Sequence, residues 1–251
     1  MPIVPRRGKA TDRTRQPHPG VTAMLAKAAG QLQAGEVCRI GSDGAAQGRS
    51  WEERCGAWAV ATRCGTQGLI AVGDGLPGLD QSAPTAEAWG VLNVVEAAVA
   101  ARVQHKVVIV CDNLAVVRRA QARLKGRQRV ERFAPTLWSR FDAAARRLKE
   151  LEVWWVPSHG KYMDSWSPPE GASGEEWRAL NNSADEEASA HAERVWAAEG
   201  AWRQNKVGAG TWAQEALLRI WSAGLWLSSK YVSVRGNRFG RFGGTGGTAA
   251  V

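Results

Sequence analysis

The amino-acid sequence has no apolar stretch approaching the roughly 18 residues that indicate a transmembrane helix. Its N-terminal end also lacks the apolar segment of a secretory signal peptide. Four cysteines and four histidines occur in 251 residues, and no two cysteines form a CxxC pair. We therefore expect an intracellular protein, nuclear or cytoplasmic, with reduced and mostly buried thiols and no zinc site.

The positive charge is unevenly distributed along the chain. The formal net charge is +9, with +5 in residues 1–35, +5 in residues 199–251 and −1 in between. Within the central part, residues 118–149 carry eleven Lys and Arg against two acidic residues, so the remaining core is acidic. A basic face beside an acidic remainder is typical of a nucleic-acid-binding protein that also concentrates carboxylates.

Hydrophobic periodicity and turn residues predict the element order β-β-β-α-β-α-α-β-α. Short connections make the first three strands an antiparallel meander, and the apolar run KVVIVC predicts a strand covered on both faces. We expect an α/β fold with a mixed five-stranded sheet, strands 4 and 5 parallel to strand 1, flanked by helices. The predicted strands are 37–46, 54–62, 68–74, 106–113 and 152–157, and the helices are 84–103 (capped by Thr85), 114–124, 135–150 and 181–199.

Composition divides the chain into three parts. Residues 1–35 read as a basic, mostly disordered arm, in which 21–34 could form a short helix. Residues 36–198 hold the predicted α/β domain. Residues 199–251 read as a basic tail with one amphipathic helix, about 212–227, and a Gly/Arg-rich end.

Four carboxylates fall at positions that such a sheet would bring together. Asp43 ends the first strand and Asp112 ends the fourth; Glu87 lies in the first turn of the intervening helix, and Asp185 opens the last helix. Each acid alone fits an ordinary structural role, such as a turn former or a helix cap. Converging carboxylates repel each other, and hard oxygen ligands suit Mg²⁺ or Mn²⁺. The four together therefore predict a site for two divalent ions, and with it phosphoryl-transfer chemistry.

Five motifs resemble those of the type 1 ribonuclease H family, including the ribonuclease H domains of retroelement reverse transcriptases. They occur in the family's order over about 37–198: SDGAA at 42–46, TAEAWGVL at 85–92, VVIVCDN at 107–113, WWVPSHG at 154–160 and NNSADEEA at 181–188. The resemblance implies a ribonuclease H-like fold. It also implies that Asp43, Glu87, Asp112 and Asp185 bind the metal ions, that His159 is an auxiliary catalytic residue on a mobile loop, and that Asn181 contacts nucleic acid.

Three features depart from the family pattern. Ala45 stands where many members carry serine, and no asparagine follows shortly after it. Twenty-five residues separate His159 from Asp185, more than is usual in the family. The basic segment 118–149 occupies the place of the basic protrusion of the bacterial enzymes.

The function implied is an endonuclease that hydrolyses the RNA strand of RNA–DNA hybrids with two Mg²⁺ or Mn²⁺ ions. The chain would act as a monomer or as part of a larger, retroelement-derived polyprotein, without membrane association. Candidates for phosphate contacts are Arg118, Arg119, Arg123, Lys125, Arg127 and Arg129. Two alternatives remain open: a catalytically silent RNA- or hybrid-binding module, and another nuclease of the same broad fold, such as an integrase or exonuclease.

Overall fold

The helices and strands are defined in a computed structural model that describes residues 16–49, 54–77, 80–127, 134–158, 165–169 and 171–198. These residues belong to one compact unit, Met1–Gly200. The elements are α1 (Pro19–Ala29), β1 (Val37–Gln47), β2 (Cys55–Arg63), β3 (Leu69–Gly75), α2 (Ala83–Ala100), β4 (Lys106–Cys111), α3 (Leu114–Leu124), α4 (Pro135–Ala145), β5 (Leu151–Trp155) and α5 (Gly174–Ala198).

The five strands form one mixed sheet in the order β3-β2-β1-β4-β5. β1 pairs with β2, and β2 with β3, in antiparallel register. β4 is parallel to both β1 and β5. The predicted arrangement, with strands 1–3 antiparallel and strands 4 and 5 parallel to strand 1, is confirmed. β1 is the central strand, so whatever it carries is covered on both faces.

Helices cover both faces of this sheet, as the sequence predicts. The larger apolar cluster lies under α1, α2, α3 and α4 and includes the fully buried Trp138 and Phe141. A smaller cluster joins Val108 and Val110 of β4 to Trp177 and Leu180 of α5. Within the described residues, no helix combines the length and the apolarity that crossing a bilayer requires.

α1 lies where the sequence allowed a short helix, at 21–34, and it packs into the core of the domain. Val21 and Leu25 of this helix are fully buried in the main core, and Met24 and Ala28 are nearly so. Their spacing is that of one apolar helix face, and Pro19 occupies the first turn, where proline is tolerated. Residues 1–15 of the arm, and the whole tail 199–251 with its predicted helix, lie outside the described residues.

Several predicted helix boundaries were wrong, and two of the errors have identifiable caps. α2 begins at Ala83 because Ser82, rather than Thr85, is its N-cap and accepts a hydrogen bond from the Thr85 N–H at 3.4 Å. α5 begins at Gly174 instead of 181. Ser173 Oγ accepts from the Glu176 N–H at 3.2 Å, and SGEE is a capping-box sequence. α4 ends at Ala145 instead of 150.

Glycines in β1 let one helix on each face approach the central strand at backbone distance. A Cβ added to Gly41 would lie 2.2 Å from the backbone oxygen of Leu180 in α5. A Cβ added to Gly44 would lie 2.4 Å from the backbone nitrogen of Glu87 in α2. Any other residue would push a helix away from β1, so the glycines set the depth at which α2 and α5 deliver their side chains.

We expect Gly44→Ala to destabilise the fold by about 1–3 kcal/mol, the usual cost of overpacking, because its methyl group meets backbone atoms of α2 that cannot rotate away. Urea unfolding of the purified chain measures this change. Gly75→Ala in β3 is the matched control, since its Cβ would meet only Val195 Cγ2 at 3.7 Å. Equal losses in the two variants would show that the α2 approach is not a tight constraint.

Candidate active site

The register of the parallel strands places Asp43 and Asp112 at the same end of the sheet. The last parallel pair of β1 and β4 is Gly41 opposite Val110, and each aspartate follows two residues later. Asp43 does not end its strand as the sequence suggested, because β1 continues to Gln47 in pairing with β2. The pairing of β1 with β4 ends just before Asp43, and Asp112 follows the end of β4 beside it.

α2 brings Glu87 to this end of the sheet from one face. Glu87 follows the first helical turn, one residue later than predicted, and its backbone lies against Gly44. The side chain is 8% exposed, and its Oε2 lies 3.8 Å from the thiol of Cys111, which donates to it. One ligand atom from each of Glu87, Cys111 and Asp112 can be chosen so that all three lie within 4.8 Å of one another.

α5 brings Asn181 and Asp185 from the other face. Asn181 Nδ2 donates to Asp43 Oδ2 at 3.3 Å. Asp185 lies four residues later, on the same helix face, and is close enough to Asp43 to raise its pKa. Because α5 begins well before residue 181, Asp185 does not open the helix as predicted but lies near its middle. Ser189 Oγ donates to Asp185 Oδ1 at 3.5 Å.

Burial and mutual repulsion dominate the electrostatics of the cluster. Burial, and then the charge of Asp112, raises the pKa of Asp43 to about 8, although hydrogen bonds from the Gly44 N–H (2.6 Å) and Asn181 partly offset them. Burial, followed by the charges of Asp43 and Asp112, raises the pKa of Glu87 to about 9. Ionising these groups together without a counterion is therefore unfavourable.

The donor set fits a hard divalent cation. The carboxylates of Asp43, Glu87, Asp112 and Asp185 lie at one end of the sheet, where Asp112 and Asp185 raise the pKa of Asp43. Among the described residues, the group of three with ligand atoms within 4.8 Å of one another is Glu87, Cys111 and Asp112. Carboxylate oxygens are the ligands that Mg²⁺ and Mn²⁺ prefer. A cation placed among them would remove the repulsion that raises the pKa of Asp43 and Glu87.

Asn181 was expected to contact nucleic acid, but its side chain lies in the interior of the protein. It is 1% exposed, bonded to Asp43 and packed beneath the carboxylates. Its Oδ1 is buried and has no hydrogen-bond partner among the residues that the structure describes. The side chain is therefore placed to orient Asp43 rather than to touch a bound strand.

The basic residues of α3 and its following loop are not equivalent. Arg118, Lys125 and Arg127 are exposed, and Arg119 is half-buried. Arg123 is 9% exposed; its Nη1 lies 2.5 Å from Asp142 Oδ2 of α4, and its guanidinium covers the Trp138 ring at 5.5 Å. Arg123 thus joins α3 to α4. Two further predicted site residues, Arg129 and His159, lie outside the described residues.

Sequence reasoning missed two contacts that shape this end of the sheet. Cys111 was counted as an ordinary buried thiol, which it is, but its sulfur also belongs to the carboxylate cluster. The available signal was its position directly before Asp112. Trp155 Nε1 donates to the backbone oxygen of Asp112 at 2.8 Å and so anchors the end of β4.

No family model and no curated protein matches this chain. Its fold is similar to solved ribonuclease H domains. With the N-terminal ribonuclease H domain of rv2228c from Mycobacterium tuberculosis it shares 17% identity over 65% of this chain and 98% of that chain, at a TM-score of 0.46. With RNase H1 from the archaeon Halobacterium salinarum it shares 18% identity over 63% of this chain and 99% of that chain, at a TM-score of 0.41. With the PFV ribonuclease H domain it shares 14% identity over 62% of this chain and 94% of that chain, at a TM-score of 0.47. At such low identities, function has to follow from this chain's own residues.

We expect the metal-free protein to lose stability as pH rises from about 4 to about 8. Over this range folded Asp43 keeps a proton that the unfolded chain, with an ordinary pKa of 3.8, has released. The loss is up to about 1.4 kcal/mol per pH unit for each such proton. Asp43→Asn should therefore flatten the dependence and raise the stability of the metal-free protein at the alkaline end.

Urea unfolding in EDTA at several pH values measures both effects. Glu186→Gln, which removes an exposed carboxylate from α5, is the control and should leave the slope unchanged. A slope for Asp43→Asn equal to that of the wild type would mean that Asp43 is already ionised in the metal-free fold.

Proposed function

We propose that this chain is a metal-dependent endonuclease that hydrolyses the RNA strand of RNA–DNA hybrids. The observation that carries the proposal is the placement of Asp43, Glu87, Asp112 and Asp185 at one end of the sheet, where their charges interact through Asp43. Burying acids in this way is costly for a folded protein unless a cation binds them. The resemblance of the surrounding motifs to type 1 ribonucleases H supports the choice of reaction and substrate.

Asp43, Glu87, Asp112 and Asp185 would hold two divalent ions. Ions bound there supply Lewis acidity at a phosphodiester, which favours attack by water and departure of the 3′-oxygen. Mg²⁺ and Mn²⁺ are the ions that this oxygen-rich set suits.

The chain's own residues contribute geometry. Asp43 is fixed on the central strand by the Gly44 N–H on one oxygen and Asn181 Nδ2 on the other. The Trp155 indole fixes the backbone of Asp112. A carboxylate whose two oxygens already have defined partners loses little freedom when a cation binds, and such preorganisation is what electrostatic catalysis requires.

Substrate binding is assigned to the exposed cations of α3 and the loop after it. α3 begins at Leu114, two residues after Asp112, so its basic residues extend away from the carboxylates along one helix. Arg118, Lys125 and Arg127 are exposed there and would contact phosphates, with Arg119 and Arg129 as further candidates. Discrimination of RNA from DNA would rest on contacts to 2′-hydroxyl groups rather than on base edges.

Two further parts of the proposal rest on the motifs alone. His159 would assist proton transfer or product release from the loop after β5. The chain itself would be part of, or derived from, a retroelement, since the motif set resembles the ribonuclease H domains of reverse transcriptases.

The first test is cleavage of a labelled RNA–DNA hybrid by the full chain with Mg²⁺, Mn²⁺ or EDTA. We expect metal-dependent cutting of the RNA strand, lost by at least about 100-fold in Asp112→Asn, which removes one negative charge from the cation site. Duplex DNA and duplex RNA are the matched substrates. Cutting of DNA instead would favour an integrase- or exonuclease-like enzyme, and binding without cutting under any metal would favour a silent hybrid-binding module.

The second test is the salt dependence of hybrid binding, measured in Ca²⁺ or EDTA by fluorescence anisotropy. Each phosphate contact removed should make the slope of log affinity against log salt shallower by about one. In the triple variant Arg118→Gln, Lys125→Gln, Arg127→Gln, the slope should therefore be shallower than that of the wild type by up to about three.

Arg63→Gln is the control for this measurement. Arg63 is exposed at the end of β2, beside the start of β1 and thus at the opposite end of the sheet from Asp43. If the triple variant and Arg63→Gln change the slope equally, the α3 cations have no special part in binding.

A further inference from the structure

The thiol of Cys111 lies within the carboxylate cluster, and the proposed function gives it no role. The residue is fully buried at the end of β4, directly before Asp112. Its Sγ lies 3.8 Å from Glu87 Oε2 and within 4.8 Å of an oxygen of Asp112. Among the described residues, Glu87, Cys111 and Asp112 are the one group of three His, Cys, Asp or Glu side chains whose ligand atoms lie this close together.

These distances suit one tetrahedral ion bound by sulfur and oxygen. A Zn²⁺ ion with a Zn–S distance of about 2.3 Å and a Zn–O distance of about 2.0–2.2 Å places the two donor atoms roughly 3.5–3.7 Å apart. The observed 3.8 Å between Sγ and Oε2 needs an adjustment of only a few tenths of an ångström. Asp112 is half-exposed and gives an ion access from solvent.

The mixed donor set separates cations by their softness. Mg²⁺ prefers oxygen, so a thiol beside its site remains protonated and only donates to Glu87. Zn²⁺ and Cd²⁺ accept sulfur readily and gain a third ligand that Mg²⁺ does not use. The thiol proton then passes to solvent as the metal–sulfur bond forms.

We propose that Glu87, Cys111 and Asp112 form a binding site selective for Zn²⁺-like ions that overlaps the Mg²⁺ site. Occupancy by Zn²⁺ engages two of the four carboxylates, so Zn²⁺ competes with Mg²⁺ and inhibits hydrolysis. The inhibitory consequence rests on the proposed function, whereas the binding of Zn²⁺ does not. The sequence argued against zinc because no CxxC pair exists; the site proposed here uses one cysteine with two acids.

The direct test uses Cd²⁺ as a spectroscopic probe on the metal-free full chain. Sulfur bound to Cd²⁺ gives an ultraviolet charge-transfer band, and its growth during titration gives the affinity. We expect a saturable band that Zn²⁺ abolishes at similar concentrations and Mg²⁺ only at far higher ones. Cys111→Ser should remove the band. The same substitution should lower the Zn²⁺ affinity relative to the Mg²⁺ affinity. We expect a loss of at least about 10–100-fold, which is the usual effect of removing a residue that only supports a metal ligand.

Two further variants complete the design. Cys55→Ser removes a buried thiol from β2, outside the cluster, and should keep the band. Glu87→Gln keeps the thiol but replaces a charged carboxylate ligand by a neutral amide, so the band should persist with a weaker Cd²⁺ affinity. Circular dichroism of each variant checks that it is folded. If Cys111→Ser does not fold, Glu87→Gln still provides the decisive comparison.

The outcomes separate this proposal from the proposed nuclease. A sulfur band that depends on Cys111 in a protein that cuts no hybrid would sustain the metal site and reject the nuclease. Two results would overturn the metal-site proposal: Cd²⁺ binds without a sulfur band, or the band is unaffected by Cys111→Ser and Glu87→Gln. If the protein still cuts the hybrid in a metal-dependent way, the proposed nuclease stands.

Discussion

The burial of Asp43 on the central strand, between two helices, is the constraint on which the rest of the site depends. β1 has neighbours on both sides and helices on both faces, so its carboxylate is 4% exposed. Gly41 and Gly44 let α5 and α2 approach close enough to place Asn181 and Glu87 against it. The same closeness that assembles the cluster brings its charges into conflict.

That conflict connects stability to function. With no cation bound, burial above all raises the pKa of Asp43 and Glu87, so the fold favours their protonated forms. A divalent ion would replace those protons and turn an unfavourable cluster into a binding site. Sequence changes that neutralise a carboxylate are thus expected to strengthen the apo fold while they remove the site, as is common where function requires a destabilised arrangement.

Much of the sheet and the four acids could be predicted from the sequence, because they depend on local patterns. The apolar run of β4 requires cover on both faces, and parallel strands necessarily bring Asp43 and Asp112 to one end. Other features depend on which way a side chain points in three dimensions. Asn181 shares a face of α5 with Asp185, but only the close approach of α5 to Gly41 turns it inward to Asp43. Likewise the sequence allowed a short helix at 21–34, but the basic composition around it gave no sign that this helix packs into the main core.

Arg123 shows why a count of charges overestimates a binding surface. On the sequence it is one of several equivalent cations in a strongly basic segment, yet its guanidinium is paired with Asp142 and covers Trp138. A guanidinium held in this way cannot reach a phosphate without giving up its ion pair with Asp142, whose side chain is only 14% exposed, and breaking such a pair is costly. The basic surface therefore consists of those cations that the packing of α3 against α4 leaves in solvent. They begin at Arg118, one helical turn after the start of α3, and continue away from the carboxylates. In the proposed nuclease, this separation would let one face attract phosphates while the sheet end attracts cations, with neither neutralising the other.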